Sequence, residues 1–214
     1  MADYKKPDYW QIKARDEGYP ARSVYKLKEI DEKFGLLKPR SSPGGAIRVL
    51  DLGASPGSWS LYVLRKMPGA TLVSIDLSPL SRQYDKGLFD SAGFLFIQGD
   101  ITEAAVRDSI IGRGPYGLIM SDAAPATTGN RIVDSSRSLE LAEAVLAYAE
   151  SSLATGGNLV FKLFQGGDSP DLHRRVKALF TTAKNYKPAS CRSESFETYC
   201  LGLGIKEGHR HGVV

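Results

Sequence analysis

The chain has 214 residues, 42% hydrophobic and 24% charged, which is enough for one globular domain with a substantial core. No apolar run approaches the ~20 residues of a membrane span, and the N-terminus has no apolar signal core, so a cytoplasmic protein is expected. The two cysteines, Cys191 and Cys200, have no metal-ligand spacing and read as structural, and the net charge of +4 is only mildly basic.

In chain order, helices are expected over 8–17 and 20–34. The second is started by Pro20 and Ser23 and carries Val24, Leu27 and Ile30 at helical spacing, with Lys26 and Lys28 on different sides of that stripe. Residues 1–28 hold seven Lys/Arg against four Asp/Glu, interleaved with Tyr4, Tyr9, Trp10, Tyr19 and Tyr25. Residues 172–193 hold six Lys/Arg and no acid. Two such tracts suggest phosphate contacts with a nucleic acid, against the alternative of solvated helix faces. A Pro/Gly/Ser-rich linker, 39–45, precedes the main sheet.

The stretch from Ile47 to Trp59 reads as a buried strand, a glycine-punctuated turn and a helix with Pro56 in its first position. Gly53-Ala54-Ser55-Pro56-Gly57 matches the nucleophile-elbow pattern, but Pro56 lacks the N–H that an oxyanion hole needs after the serine. A dinucleotide fingerprint is also a poor fit, because the glycines are spaced differently. A third reading is a pocket for S-adenosylmethionine (SAM), with Asp76 at the next strand's end receiving ribose hydroxyls.

Further strands are expected at 71–76, 93–98 and 116–122, then a turn-rich loop 123–130, a helix 137–154, a strand 157–164, a helix 170–182 and strands near 184–188 and 197–204. Alternation of strand and helix predicts an α/β, doubly wound, mostly parallel sheet whose ligands bind at the strands' C-terminal ends. Asp76, Asp100, Asp122 and Lys162 fall at or near those ends. Lys162 interrupts the apolar run 159–164, where a merely structural lysine would cost desolvation.

The motifs Arg22–Leu27, Asp51–Ser60, Ser121–Pro125, Val160–Gly166 and Glu197–Tyr199 resemble, in order, the signatures of the FtsJ/RlmE family of SAM-dependent ribosomal RNA ribose 2′-O-methyltransferases. The resemblance implies a Rossmann-like methyltransferase fold divided into a helical RNA-contacting extension (1–38), a methyltransferase domain (39–207) and a tail (208–214). It places the family's catalytic tetrad on Lys26, Asp122, Lys162 and Glu197, with Lys162 as proton acceptor. It places cofactor contacts on Gly53, Gly57, Trp59, Asp76, Asp100 and Asp122, with Trp59 beside the methionine part and no metal. A free lysine is almost wholly protonated at pH 7, so the acceptor role requires burial and the Lys26 ammonium to loosen the proton of Lys162. The implied substrate is a uridine of large-subunit (23S) ribosomal RNA or the assembled subunit, with transfer RNA and messenger caps as alternatives. A dinucleotide oxidoreductase and a non-catalytic RNA-binding module are the alternatives of other classes. Ser58, where the family often has glycine, and the His-containing tail depart from the pattern.

Overall fold

The computed structural model describes residues 7–38, 47–166, 169–192 and 194–208. The expected linker 39–45 and tail residues 209–214 lie outside them, as do residues 1–6, 167 and 193 of the segments read above. Among the described residues thirteen main elements follow one another: α1 (Tyr9–Asp16), α2 (Val24–Phe34), β1 (Arg48–Leu52), α3 (Ser58–Lys66), β2 (Thr71–Asp76), β3 (Phe94–Gln98), α4 (Ala104–Ile111), β4 (Tyr116–Ser121), α5 (Arg131–Ser152), β5 (Leu153–Phe164), α6 (Ser169–Leu179), β6 (Phe180–Tyr186) and β7 (Glu197–Ile205).

The strands form one sheet in the order β3-β2-β1-β4-β5-β7-β6. β1 to β5 are parallel, and β7 runs antiparallel between β5 and β6. Strand order reverses between β1 and β4, so the crevice of a doubly wound fold opens at that junction. Alternation along the strands sorts the core into two layers. Val49, Leu118, Val160 and Leu201 pack with α2 and α3 on one face, whereas Leu50, Ile119, Phe161 and Cys200 pack with α5 and α6 on the other.

α2 is part of this core: Val24, Leu27 and Ile30 are fully buried. Buried Asp31 ties it to α3 by accepting from the Tyr62 hydroxyl at 2.9 Å and pairing with Lys66. The helix begins at Val24 rather than at 20, because Ser58 pins the preceding turn. Its hydroxyl accepts from Ala21 N–H at 2.8 Å and donates to Ala21 O at 3.1 Å. Ser58, the departure noted in the sequence, therefore has a packing role.

Other boundaries differ from expectation for local reasons. α3 starts at Ser58 with Gly57 at φ 106° as its cap, so Pro56 lies in the turn before the helix. α5 starts at Arg131 rather than 137, since the Asn130 side chain accepts from Ile132 and Val133 N–H and starts the helix on a first turn whose apolar residues, Ile132 and Val133, are exposed and form no buried stripe. α4 was not expected; it buries only Ile110 and has no side-chain cap. Among the described residues no helix is long and apolar enough to cross a membrane.

Candidate active site

Gly53 follows β1 with φ 77°, and a Cβ there would lie 2.6 Å from that of Ala123, just past β4. Only glycine permits β1 and β4 to approach so closely in that conformation. Beside this contact opens a cavity of about 500 Å³, lined by Gly53, Asp76, Asp100, Asp122 and Lys162 among others. Asp76 accepts from Ser55 N–H at 2.9 Å and Ser78 N–H at 2.8 Å, fixing the turn it faces. The backbone and hydroxyl of Thr102 donate to Asp100 and hold its carboxyl below its ordinary value.

Two ion pairs stand together here: Lys162–Asp122 lines this cavity, and Lys26–Glu197, outside its lining, is close enough for Lys26 to act on the Asp122 charge. Lys162 lies 3.1 Å from Asp122 Oδ1 and donates to the Asp122 carbonyl at 2.5 Å. Lys26 lies 2.8 Å from Glu197 Oε1. Strand parity explains the convergence: Lys162 and Tyr199 are cross-strand partners, and Glu197, two residues from Tyr199, points to the same face, toward α2. Tyr199 joins the pairs, its hydroxyl donating to Asp122 Oδ1 at 2.6 Å while Lys26 sits 5.8 Å from its ring centre.

Burial acts to raise the Asp122 carboxyl, but the Lys162 and Lys26 ammoniums and the Tyr199 hydroxyl outweigh it and hold the group below its ordinary value. For Lys26, burial acts to release the proton and the Asp122 and Glu197 carboxylates more than reverse it, so its ammonium is held tightly. Burial, with the same two carboxylates, drives the Tyr199 phenol well above its usual value and keeps it a donor. Sequence reasoning missed Tyr199: it stood in a quoted motif, but its partnership with Lys162 depends on antiparallel register.

Trp59 and Gly57 are not brought to the cavity lining. The Trp59 indole is 2% exposed, donates to Ser23 O at 2.9 Å and packs 5.9 Å from the Tyr199 ring. That geometry makes it a support for α2 and Tyr199. A Cβ on Gly57 would meet Phe89 at 2.9 Å. The second basic tract divides. Arg174 and Arg175 are paired with Asp171, Glu143 and Glu150 on the α5/α6 face, while Arg192 lies near Asp8 on the α2 side. Both cysteines are buried free thiols.

Beneath the turn, Asp51 accepts from Ser60 Oγ at 2.6 Å, and its other oxygen has no partner among the described residues. Burial pushes this carboxyl from 3.8 up to about 7, against the Ser60 hydrogen bond and with help from Asp122 and Asp76. The folded state therefore binds this proton more tightly than the unfolded chain, and its contribution to stability falls as pH rises from about 4 to about 7, by roughly 4 kcal/mol. Asp51→Asn should remove that slope. In urea unfolding, the variant should gain on the unsubstituted protein between about pH 4.5 and about pH 7.5; a difference constant with pH would show that Asp51 does not titrate there.

The family model described as FtsJ-like methyltransferase matches residues 19–205, which include every strand and all four ion-pair residues. The chain belongs to this family. Among FtsJ-like relatives, the ribosomal RNA large subunit methyltransferase E of Treponema denticola is 47% identical over 205 residues, covering 95% of this chain and 97% of the relative. The protein of the same name from Oleidesulfovibrio alaskensis is 41% identical over 202 residues, covering 93% and 92%. A ribosomal RNA methyltransferase structure from Plasmodium falciparum superposes with a TM-score of 0.70 at 26% identity, covering 87% of this chain and 98% of that one. The fold is thus the doubly wound, mostly parallel sheet that strand alternation predicted and the methyltransferase fold that the resemblance implied.

Proposed function

We propose that this protein is a cytoplasmic enzyme that transfers the methyl group of SAM to the 2′-hydroxyl of a ribose in RNA, with a uridine of large-subunit ribosomal RNA, free or within the subunit, as its target. The observation that carries the reading is the pair of buried ion pairs, Lys162–Asp122 and Lys26–Glu197, set beside a cavity lined by three aspartates. The names of the relatives support the ribosomal substrate.

The cavity's chemistry suits SAM. Three carboxylates and one ammonium favour a ligand with hydroxyl and amino donors and positive charge, and disfavour the diphosphate of a dinucleotide. Asp76 would accept from the ribose hydroxyls and Asp100 from the adenine amino group, with Gly53 giving close backbone approach. When bound, SAM supplies an electrophilic methyl group on a sulfonium centre. Lys162, anchored by two oxygens of Asp122, would face the ribose hydroxyl and, once its own proton has left to solvent, accept the hydroxyl proton as the neutral amine, returning to the ammonium. Asp122 orients that ammonium and Tyr199 fixes Asp122. Lys26, kept charged by Glu197 and Asp122, would hold the substrate oxygen in line.

Calorimetric titration should show SAM and its demethylated product binding without added metal, and NAD not binding. Asp76→Ala should weaken SAM about ten- to hundredfold, the worth of a hydrogen bond to a charged group. Unaltered SAM binding by the folded variant would remove Asp76 from the site. Mapping 2′-O-methyl groups in ribosomal RNA from cells with and without the protein would identify the target nucleotide.

A further inference from the structure

A second cavity, about 340 Å³, lies on the other side of the Lys26–Glu197 pair, and Arg22, Ser23, Arg192, Ser195 and Phe196 help to line it. Ser23 lines both cavities, so the two meet at the start of α2. One wall is the β6–β7 connection, held to α2 because Glu29 accepts from Ala189 N–H at 2.7 Å and Ser190 N–H at 2.9 Å, and because Arg22 donates to Ser190 O. Phe196 is fixed between Phe164, 4.7 Å away, and the Arg131 guanidinium at 5.2 Å.

The two arginines of this cavity converge on one oxygen. Asp8 Oδ2 pairs with Arg22 and lies 4.0 Å from Arg192 Nε, while Asp8 Oδ1 caps α1 by accepting from Gln11 N–H at 2.9 Å. Two guanidinium groups aimed at one anionic oxygen match the geometry with which arginine binds phosphate. Glu194 also lines the cavity, and Glu197 there is engaged by Lys26. We propose that Arg22 and Arg192 hold a backbone phosphate of the RNA strand next to the methylated ribose, and that the Asp8 carboxylate takes the phosphate's place when RNA is absent. This rests on the RNA-methylation reading and narrows it. The strand lies along the cavity, over the seam where α2 and the β6–β7 connection are joined, and α6, whose Arg174 and Arg175 are neutralised on the opposite face, takes no part.

The test uses the full chain, in-vitro-transcribed large-subunit ribosomal RNA, and affinity and KM measured over a range of salt. Arg192→Ala should raise the Kd and KM for RNA about tenfold, leave SAM binding unchanged, and flatten the dependence of log Kd on log salt by about 0.7, the share of one phosphate contact on a single strand. Asp8→Asn keeps a good helix cap but removes the competing charge, so it should tighten RNA severalfold, and should do so no longer in the Arg192→Ala background. Arg174→Ala is the comparator and should match the unsubstituted protein. If that protein methylates the RNA but Arg192→Ala and Asp8→Asn leave affinity and salt slope unchanged, the phosphate subsite is wrong and the reaction stands. If it neither binds nor methylates RNA, both fall.

Discussion

Lys162→Ala should fold and bind SAM nearly as the unsubstituted protein does, yet lose about 10²–10⁴-fold in single-turnover methyl transfer, the usual contribution of a positioned proton-transfer group. Folding should survive because Lys162 sits at the C-terminal end of β5, above the fully buried Val160 and Phe161 that anchor the strand. SAM binding should survive because Asp76 and Asp100, on β2 and past β3, are untouched. Lys162→Arg separates two roles. Arginine retains the positive charge beside Asp122 but cannot give up its proton at accessible pH, so a proton acceptor at this position predicts an inactive variant and a purely electrostatic group predicts substantial activity. Rates near those of the unsubstituted protein, at saturating SAM and RNA, would move the proton-accepting role to Asp122.

Asp122→Ala should be the more damaging change, because it strikes both stability and turnover. The carboxylate is the shared counter-charge of Lys162 and Lys26 and the acceptor for Tyr199. Its removal leaves two ammoniums and a phenol in a buried site, and breaking a buried pair in this way costs about 3–5 kcal/mol. The pH dependence has a defined sign. A carboxyl held below its ordinary value contributes stability above the unfolded pKa and loses it as pH falls through the lower folded value. The unsubstituted protein should therefore lose part of its stability on acidification below about pH 4, and Asp122→Ala should lack that component. Thermal unfolding across that range, paired with single-turnover assays, checks both effects. A variant as stable as its parent at neutral pH would mean that the ion-pair cluster is not buried as described.

The sheet was legible in the sequence because each parallel strand is a short apolar run closed by a turn or an aspartate, and those aspartates mark the strand ends where a doubly wound fold binds its ligand. Lys162 stood out for a physical reason, a charge within an apolar strand. What could not be read was whatever depends on neighbours distant in sequence. Tyr199 is placed by register with β5, and the hydrogen bond of the Trp59 indole to Ser23 depends on how α2 packs against α3. The basic tract 172–193 looked uniform, but the fold sends Arg174 and Arg192 to opposite faces. α4 escaped because a helix with one buried residue leaves little periodic trace.

The central claim is that methyl groups pass to ribose oxygens of RNA, and alkaline hydrolysis tests it most directly. The purified protein would be incubated with SAM labelled in its methyl group and unmodified large-subunit ribosomal RNA, and the product hydrolysed in alkali. A free 2′-hydroxyl attacks the adjacent phosphate and cleaves the strand, whereas a 2′-O-methyl group blocks that attack. The account predicts label confined to alkali-resistant dinucleotides and absent with Lys162→Ala; label in mononucleotides, or none in RNA, would contradict it.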